Sequence, residues 1–357
     1  MEGDAEERQI QARFVTKLKT PYKVPATAIT IPANLTRLGL STIVSSLLNA
    51  GNPDWENQPF DFLIDGELVR MSLEQFLLAK GISAEKIIEI EYIKAVVPRK
   101  QEEPSLHDDW VSAADGSCPR FILTGCYDGL GRVWKAAGLC THMLEGHSDA
   151  ITSVSIIFSG GMNKKLSVLA ESGFISSSVA TCLKMGEAMS TLVGHTQRVS
   201  SVVWPEHETI YSASWDHSIR RWDVETGKDS AKIFCGKALN YLHVGGEGSA
   251  LIAAGASDPI LRIWDPRKPG TSAPIYQFCS HTSWVSACKW HDKSWFHLLS
   301  ASYDGKVMLW DLRTAWPLAV IESHEDKVLC VDWWRGDNLV SGGVDCKLCI
   351  SSDSSVQ

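Results

Sequence analysis

The stretch SASWDHSIRRWD, residues 212–223, returns as GASDPILRIWD at 255–265 and as SASYDGKVMLWD at 300–311. The three tryptophans, Trp222, Trp264 and Trp310, lie 42 and 46 residues apart, and an aspartate stands six positions before each: Asp216, Asp258 and Asp304. A histidine opens most of the units, at His195, His281 and His324, and the last unit keeps His324 and Asp345 without a tryptophan. Upstream the marks thin out. LHDDWVSA (106–113) echoes SHTSWVSA (280–287), Asp128 stands six before Trp134, and EGH (145–147) opens another unit. Six slots result, opening near 107, 147, 195, 236, 281 and 324. Within each full slot, short runs rich in β-branched and aromatic residues alternate with Gly, Asp-Gly or Asp-His turns, which predicts several short strands.

Repeats of this length and chemistry resemble WD40 units, whose four-stranded blades assemble into a β-propeller. The resemblance implies a mainly β fold, with a propeller over 107–352 reached through a linker at 98–106. It also implies a buried structural network in each blade, made by His195, Ser214, Asp216 and Trp222 in the best unit. Asp258, Trp264, His281, Asp304, Trp310, His324 and Asp345 are the counterparts elsewhere. The family pattern is seven blades, against six slots here. The second slot departs furthest, with Val168 at the aspartate position and Phe174 at the tryptophan position. GMNKKLSVLAESGFISSSVATCLKMGEAM (161–189) holds no blade turn and no convincing strand order. Residues 150–192 therefore read as a truncated second blade joined to a later one. They are expected to be the least ordered part of the ring, which would be open, strained or six-bladed.

The first hundred residues have another grammar. IQARFVTKL (10–18) alternates as a strand, and ATAITIPA (26–33) follows across a Pro-bearing turn. TRLGLSTIVSSLLNAG (36–51) has a helical apolar period through Leu38, Leu40, Ile43, Val44, Leu47 and Leu48, between Thr36 as N-cap and Gly51 as stop. FDFLIDGELVRM (60–71) is a hairpin on Asp65-Gly66. Ser72 and Gln75 have the spacing of a capping box for a short helix that ends at Gly81, and KIIEIEYI (86–93) closes the set. The order β-β-α-β-β-α-β over 8–97 is the ubiquitin-like, β-grasp pattern.

Charge and motifs narrow the function. A formal net charge of −8 argues against a broad nucleic-acid surface, which needs a basic field. The polar, acidic start MEGDAEERQI does not read as a signal peptide, and the apolar run SALIAAGA (249–256) is too short to span a membrane. Ten cysteines without a secretion signal suggest free thiols, and Cys346 and Cys349, facing opposite sides of a strand, make a poor metal or redox pair. His195, Ser214 and Asp216 imitate a hydrolase triad, yet the same set recurs in other units, and a catalytic site has no reason to be copied around a ring. GGEGSA (245–250) reads as a turn, and no metal-ligand cluster, P-loop or dinucleotide fingerprint is present. The chain is expected not to be an enzyme.

A ubiquitin-like domain followed by WD repeats resembles the Notchless-type assembly factors of the large (60S) ribosomal subunit. LEQFLLAKGISAEKIIEIEYIKAVVPR (73–99), HDDWVSA and SWVSACKWHDKSWFHLLSASYDGKVMLWDLRTAWPL look like the branch that joins Pescadillo and the block-of-proliferation protein in the PeBoW complex. That resemblance implies a non-enzymatic adaptor on 66S-type pre-ribosomes, acting in pre-rRNA maturation through indirect association, in nucleus, nucleolus and nucleoplasm. The propeller would bind the block-of-proliferation protein. The ubiquitin-like domain would be gripped by midasin, an AAA-type ATPase, for release. In such domains an acidic residue before the last strand completes the Mg²⁺ shell of midasin's adhesion site. Glu85 matches that position, with Ser83 beside it as a supporting hydroxyl. The alternative is a substrate receptor of the ubiquitin system, which would dock through an exposed apolar sheet patch rather than through Glu85 and a divalent metal.

Overall fold

The computed structural model describes residues 8–51, 58–83, 86–95, 99–135, 138–158, 166–172, 179–184, 187–206, 208–246, 248, 250–268, 273–314 and 316–352; the side chains of 156–191 and 206 lie outside that description. The chain divides into two compact units, residues 1–97 (with 313–316) and residues 98–312 with 317–357.

In the first unit, strand β1 (Gln9–Val15) alternates strictly, burying Ile10, Ala12 and Phe14 and leaving Gln9 and Gln11 outside. It pairs antiparallel with β2 (Ala28–Pro32). Helix α1 (Arg37–Gly51) follows, burying Leu40, Val44 and Leu48; Leu38, expected on that apolar face, is 75% exposed at the first turn. Strands β3 (Phe60–Ile64) and β4 (Glu67–Leu68) form the hairpin on Asp65-Gly66, both at positive φ as a two-residue turn of this kind requires. Helix α2 (Leu73–Lys80) and strand β5 (Ile88–Lys94) complete the unit. The sheet order is β2-β1-β5-β3-β4, with β5 parallel to β1 and antiparallel to β3. That topology is the β-grasp fold.

The second unit opens with two short strands, β6 (Lys100–Gln101) and β7 (Ser105–Leu106). Next come β8 (Val111–Asp115), β9 (Ile122–Cys126), β10 (Gly131–Lys135) and β11 (Leu139–Leu144), a four-stranded blade. The second slot holds β12 (Ile151–Phe158), β13 (Leu166–Ser172), β14 (Val179–Lys184) and β15 (Glu187–Val193). These four strands form two separate two-stranded sheets, β12-β13 and β14-β15. The stretch expected to lack strand order thus forms hairpins that stop at two strands; the expectation of poor order falls largely on residues outside the description.

Three complete blades follow in sequence. Slot three has β16 (Val199–Glu206), β17 (Thr209–Ser214), β18 (Ser218–Asp223) and β19 (Asp229–Phe234). Slot four has β20 (Leu239–Gly245), β21 (Leu251–Ala256), β22 (Asp258–Trp264) and β23 (Tyr276–Phe278). Slot five has β24 (Val285–Trp290), β25 (His297–Ser302), β26 (Val307–Asp311) and β27 (Ala319–Ile321). The last blade has only β28 (Val328–Trp334), β29 (Asn338–Gly343) and β30 (Lys347–Ser352) of its own, and β6 and β7 supply its fourth strand. The linker expected over 98–106 therefore holds the two strand pieces, Lys100–Gln101 and Ser105–Leu106, that complete the last blade of the propeller.

All six inner strands share one device. Each carries a one-residue bulge after its first residue, at Ser112, Thr152, Ser200, Asn240, Ser286 and Leu329. Three of these side chains reach the next inner strand. Ser112 Oγ donates to the Ile151 carbonyl, Asn240 Nδ2 to that of Val285 at 3.1 Å, and Ser286 Oγ to that of Val328 at 2.6 Å. At Gly125 a Cβ would meet Ile151 Cγ2 at 2.6 Å, so the second strand of the first blade must stay bare where β12 packs on it.

Candidate functional site

The loop between α2 and β5 is anchored at both feet. Ser72 caps α2 by accepting from the Gln75 N–H, as the Ser-x-x-Gln spacing predicts. Gly81 ends the helix at φ 65°, a left-handed conformation that suits glycine, and donates to the Leu78 carbonyl at 3.2 Å while the Ile82 N–H donates to Leu77 at 3.0 Å. Ile82 packs on the core and Ile88 is buried, so residues 83–87 span two fixed points. Ser83, Lys86 and Ile87 are exposed. Glu85 itself lies outside the described residues. Among the described residues no three His, Cys, Asp or Glu side chains group as a metal site.

The repeat network sits in the second unit. In slot three the Trp222 indole N–H donates to Ser212 Oγ at 2.8 Å, Ser212 contacts His195 Nε2 at 2.7 Å, and His195 Nδ1 contacts Asp216 at 2.8 Å. A neutral imidazole satisfies the whole chain: the Ser212 hydroxyl donates to Nε2, and Nδ1–H donates to the carboxylate. Asp216 also accepts from the Ser218 hydroxyl at 2.6 Å and from the Thr196 N–H at 3.1 Å. Ser214 is not the hydroxyl of this network. It donates to the Gln197 carbonyl and accepts from the Asp216 N–H, which shapes the turn. The serine that matters is ten residues before the tryptophan, on the strand paired to it.

Slot five repeats the set through His281, Ser300, Asp304 and Trp310, at 2.7, 2.9 and 2.8 Å for His–Ser, His–Asp and Trp–Ser. In the last blade His324 joins Asp345 at 2.8 Å and Ser341 at 2.9 Å, with Ser351 at the tryptophan position. Two blades solve the problem differently. In the first, His107 and the Trp134 indole share Thr124 Oγ1, while Asp128 pairs with Arg132 at 2.7 Å. In slot four, where no histidine opens the unit and Ala254 stands at the hydroxyl position, Asp258 grips Arg262 through both oxygens at 2.8 and 2.6 Å, and Trp264 is buried.

The electrostatics fit a structural role. Burial opposes the charge on Asp216, but the hydrogen bonds from Ser218, His195 and Thr196 prevail and hold its pKa at about 2. Asp304 is held at about 2 in the same way, against burial, by His281 and the Thr282 N–H. Burial depresses His195, and lowers His107 to about 4. The Ser212–His195–Asp216 geometry is that of a hydrolase triad, but Ser212 is fully buried and its oxygen already accepts the indole proton. No substrate carbonyl can reach it. Three buried thiols are similarly unreactive: burial pushes Cys288, Cys330 and Cys349 up to about 12. Cys346 lies in the turn before β30, at φ 59°, rather than on a strand with Cys349.

Between blades, Lys289 on β24 meets Asp332 on β28 at 3.3 Å, and Asp332 also accepts from the Gly116 and Trp333 N–H groups at 3.0 and 2.8 Å. Burial works against the ammonium, but Asp332 keeps its pKa raised. This pair ties two inner strands at the ring's interior.

Comparison with known proteins places these features. The family model of the NLE (NUC135) domain matches residues 10–77, and that of the WD domain, G-beta repeat, matches 138–168, 186–223, 272–311 and 315–350. A "Ribosome biogenesis protein WDR12 homolog" of Arabidopsis thaliana is 56% identical over 99% of this chain and 98% of its own length. The homologue of Oryza sativa subsp. japonica is 54% identical over 97% of each, and that of Chlamydomonas reinhardtii 36% identical over 96% of this chain and 98% of its own. The Arabidopsis alignment spans 426 positions against the 357 residues here, and the surplus exceeds one WD repeat of about 40–45 residues. The unmatched gap between 168 and 186 falls where slot two divides.

Proposed function

Because the chain belongs to the family of WDR12 ribosome biogenesis proteins, we propose that it is a non-enzymatic adaptor in maturation of the large ribosomal subunit. Its propeller binds the block-of-proliferation protein within the complex that also contains Pescadillo, on the pre-ribosome in nucleolus and nucleoplasm. Its β-grasp domain is the handle that midasin grips to release it. The observation that carries this reading is the joining of a β2-β1-β5-β3-β4 grasp sheet to a WD propeller across the full length matched by the relatives.

Glu85 is the ligand in this scheme, held on a loop whose feet at Ile82 and Ile88 are locked into the core. Mg²⁺ on the partner supplies a hard acceptor for one carboxylate oxygen. Ser83, two residues earlier and exposed, steadies the carboxylate. The alternative, a ubiquitin-system receptor, calls for an apolar sheet face. On the sheet face turned away from α1 the exposed positions are Gln9, Gln11, Thr30 and Glu89, with Arg13 partly exposed and paired to Glu89 at 3.3 Å, and the apolar Leu63 and Ile93 of that face are buried, which favours the adaptor. The test is titration of the full chain against midasin's adhesion-site domain, with Mg²⁺ or with chelator. Glu85→Ala should weaken metal-dependent binding at least tenfold, about 1.4 kcal/mol or more, and Ser83→Ala less. Binding that ignores both the substitution and the chelator would overturn the coordination role.

A further inference from the structure

We propose that tension entering this chain through its N-terminal domain opens the propeller at its own closing strand. Pulling and ring opening are then one event. The proposal rests on the adaptor reading above, in which an ATPase grips the β-grasp domain.

The path of the chain carries the argument. Slots one, three, four and five each take their four strands from consecutive sequence, whereas the last blade takes three from residues 328–352 and its outer strand from residues 100–106. Those residues are the first of the propeller and follow directly on the N-terminal domain. Residues 313–316, between β26 and β27, also belong to that unit, with Arg313 paired to Glu91 at 3.3 Å. Once that ion pair parts, a load on the N-terminal domain passes along the backbone into Arg99–Gln101 before it reaches any other strand of the ring.

The closing strand is short and comes in two pieces. Lys100 and Gln101 pair with Ser352 and Ser351, and Ser105 and Leu106 pair with Leu348 and Lys347. The Glu102 N–H donates to the Ile350 carbonyl at 3.0 Å. Pro104, which has no N–H to give, separates the two pieces. Other outer strands run for 6 residues (β11, β19) or for 3 (β23, β27), but each of these is the continuation of its own blade, whereas the closing strand is the one reached from the N-terminal unit. Side-chain support is modest: Arg99 donates to the Asp337 carbonyl, Gln101 to that of Glu322 at 3.3 Å, and Leu106 is 70% exposed.

The pairing is antiparallel, so the loaded end of β6, Lys100, lies opposite Ser352, the last paired residue of β30. Drawing those two ends apart loads one pair at a time, a peel rather than a shear. The peel halts at His107. Its N–H donates to Cys346 at 2.8 Å, and its buried ring holds Thr124 at 2.9 Å and lies 4.8 Å from the Trp134 ring. What remains is a ring whose last blade ends in an open strand edge.

Optical tweezers on the full chain, with handles at the two termini and the exposed Cys279 changed to Ser, test this without any ATPase. The first event should be a low-force step that frees residues 99–106, a gain of roughly 25–30 Å at about 3.3–3.6 Å per residue, ahead of the much longer unfolding events. A second variant staples the strand, with Gln101→Cys and Ser351→Cys at directly paired positions. Oxidised, it should lose the first step, and reductant should restore it. A first event as long as a whole domain, or a short step that survives the oxidised staple, would overturn the proposal. Absence of midasin binding by the unsubstituted chain would remove the adaptor reading and leave the trap result standing, so the two failures are separable.

Discussion

The slots opening at His147 and His195 are neighbours in the chain and have four strands each, yet the second of them is one sheet and the first is two hairpins. Slot three is braced across its middle. Ser212 on β17 accepts from Trp222 on β18, and Asp216 in the turn between them is held by Ser218, His195 and Thr196. For slot two, counting along the sequence puts Val168 and Phe174 at these positions, but Ile151 pairs with Ser172 as Val199 does with Ser214. Phe174 and Ala180 are therefore the sequence counterparts of Asp216 and Trp222, and they offer neither a carboxylate nor an indole donor. Its hairpins are held by different neighbours instead. Strand β12 is seated by the Ser112 hydroxyl and by Val154 packing against Leu123 and Leu144 of the first blade. Leu192 on β15 packs with Ile210 and Trp222 of slot three. Hairpins are local and form from turn and pairing alone. In slot three the second strand is joined to the third with a polar brace at the turn and a large side chain beside it, whereas the last blade, with Ser351 at the tryptophan position, makes the same join with the brace of His324, Ser341 and Asp345.

The severest way to break this comparison is to remove the large side chain from the intact slot. Trp222 is 1% exposed and touches both its own blade and Leu192. Trp222→Ala should cost about 3–5 kcal/mol, read as a lowered urea midpoint. Hydrogen exchange should show β17 and β18 losing their shared protection while the β16-β17 pairing persists, so that slot three comes to resemble slot two. Collapse of protection over the whole ring at once would mean that the blade does not divide at that seam. A smaller effect separates the two serines of SAS. Ser212→Ala strands a buried indole N–H and an imidazole nitrogen and should cost about 1–3 kcal/mol, whereas Ser214→Ala removes only turn contacts and should cost less than about 1 kcal/mol. Equal losses would reinstate Ser214.

Much of this was legible in the residues. The period of Trp222, Trp264 and Trp310, with Asp six before each, indicates WD blades because a blade needs the same turn acid and buried indole every time. The grasp domain announced itself through Asp65-Gly66, the Ser72–Gln75 cap and the alternation in β1. The choice of Ser214 over Ser212 failed because the two stand in SAS two residues apart, on the same face of β17, and only their place along the strand relative to His195 settles which one enters the network. The recurrence of a hydroxyl ten residues before the Trp position, at Thr124, Ser212, Ser300 and Ser341, was the available signal. The closing role of residues 100–106 left no mark, since two short polar pieces around Pro104 read as linker until their distant partner β30 is known. The bulges at Ser112, Asn240 and Ser286 were equally hidden, being a property of register rather than of composition.

The finest distinction between the two slots is acid sensitivity. Asp216 and Asp304 have folded pKa values of about 2, below the ordinary carboxylate value near 3.9. Their contribution to stability is therefore complete above about pH 4 and is lost as pH falls from there toward 2, because the unfolded chain takes up the protons first. His195, depressed by burial, acts in the same direction at higher pH: below about 6.5 the unfolded imidazole charges before the folded one does. Slot two has no aspartate at this position and so nothing of the kind to lose. Acid should loosen slots three and five first, with exchange at β17-β18 and β25-β26 rising between pH 4 and 2. Asp216→Asn keeps the shape and removes the titration. It should lower the urea midpoint slightly at pH 7, through loss of the charge-assisted bonds, and flatten the acid limb for slot three while slot five, still carrying Asp304, keeps its own. An acid limb that is unchanged in the variant would show that the brace joining the blade does not depend on the carboxylate charge, and the contrast between the slots would then rest on Trp222 alone.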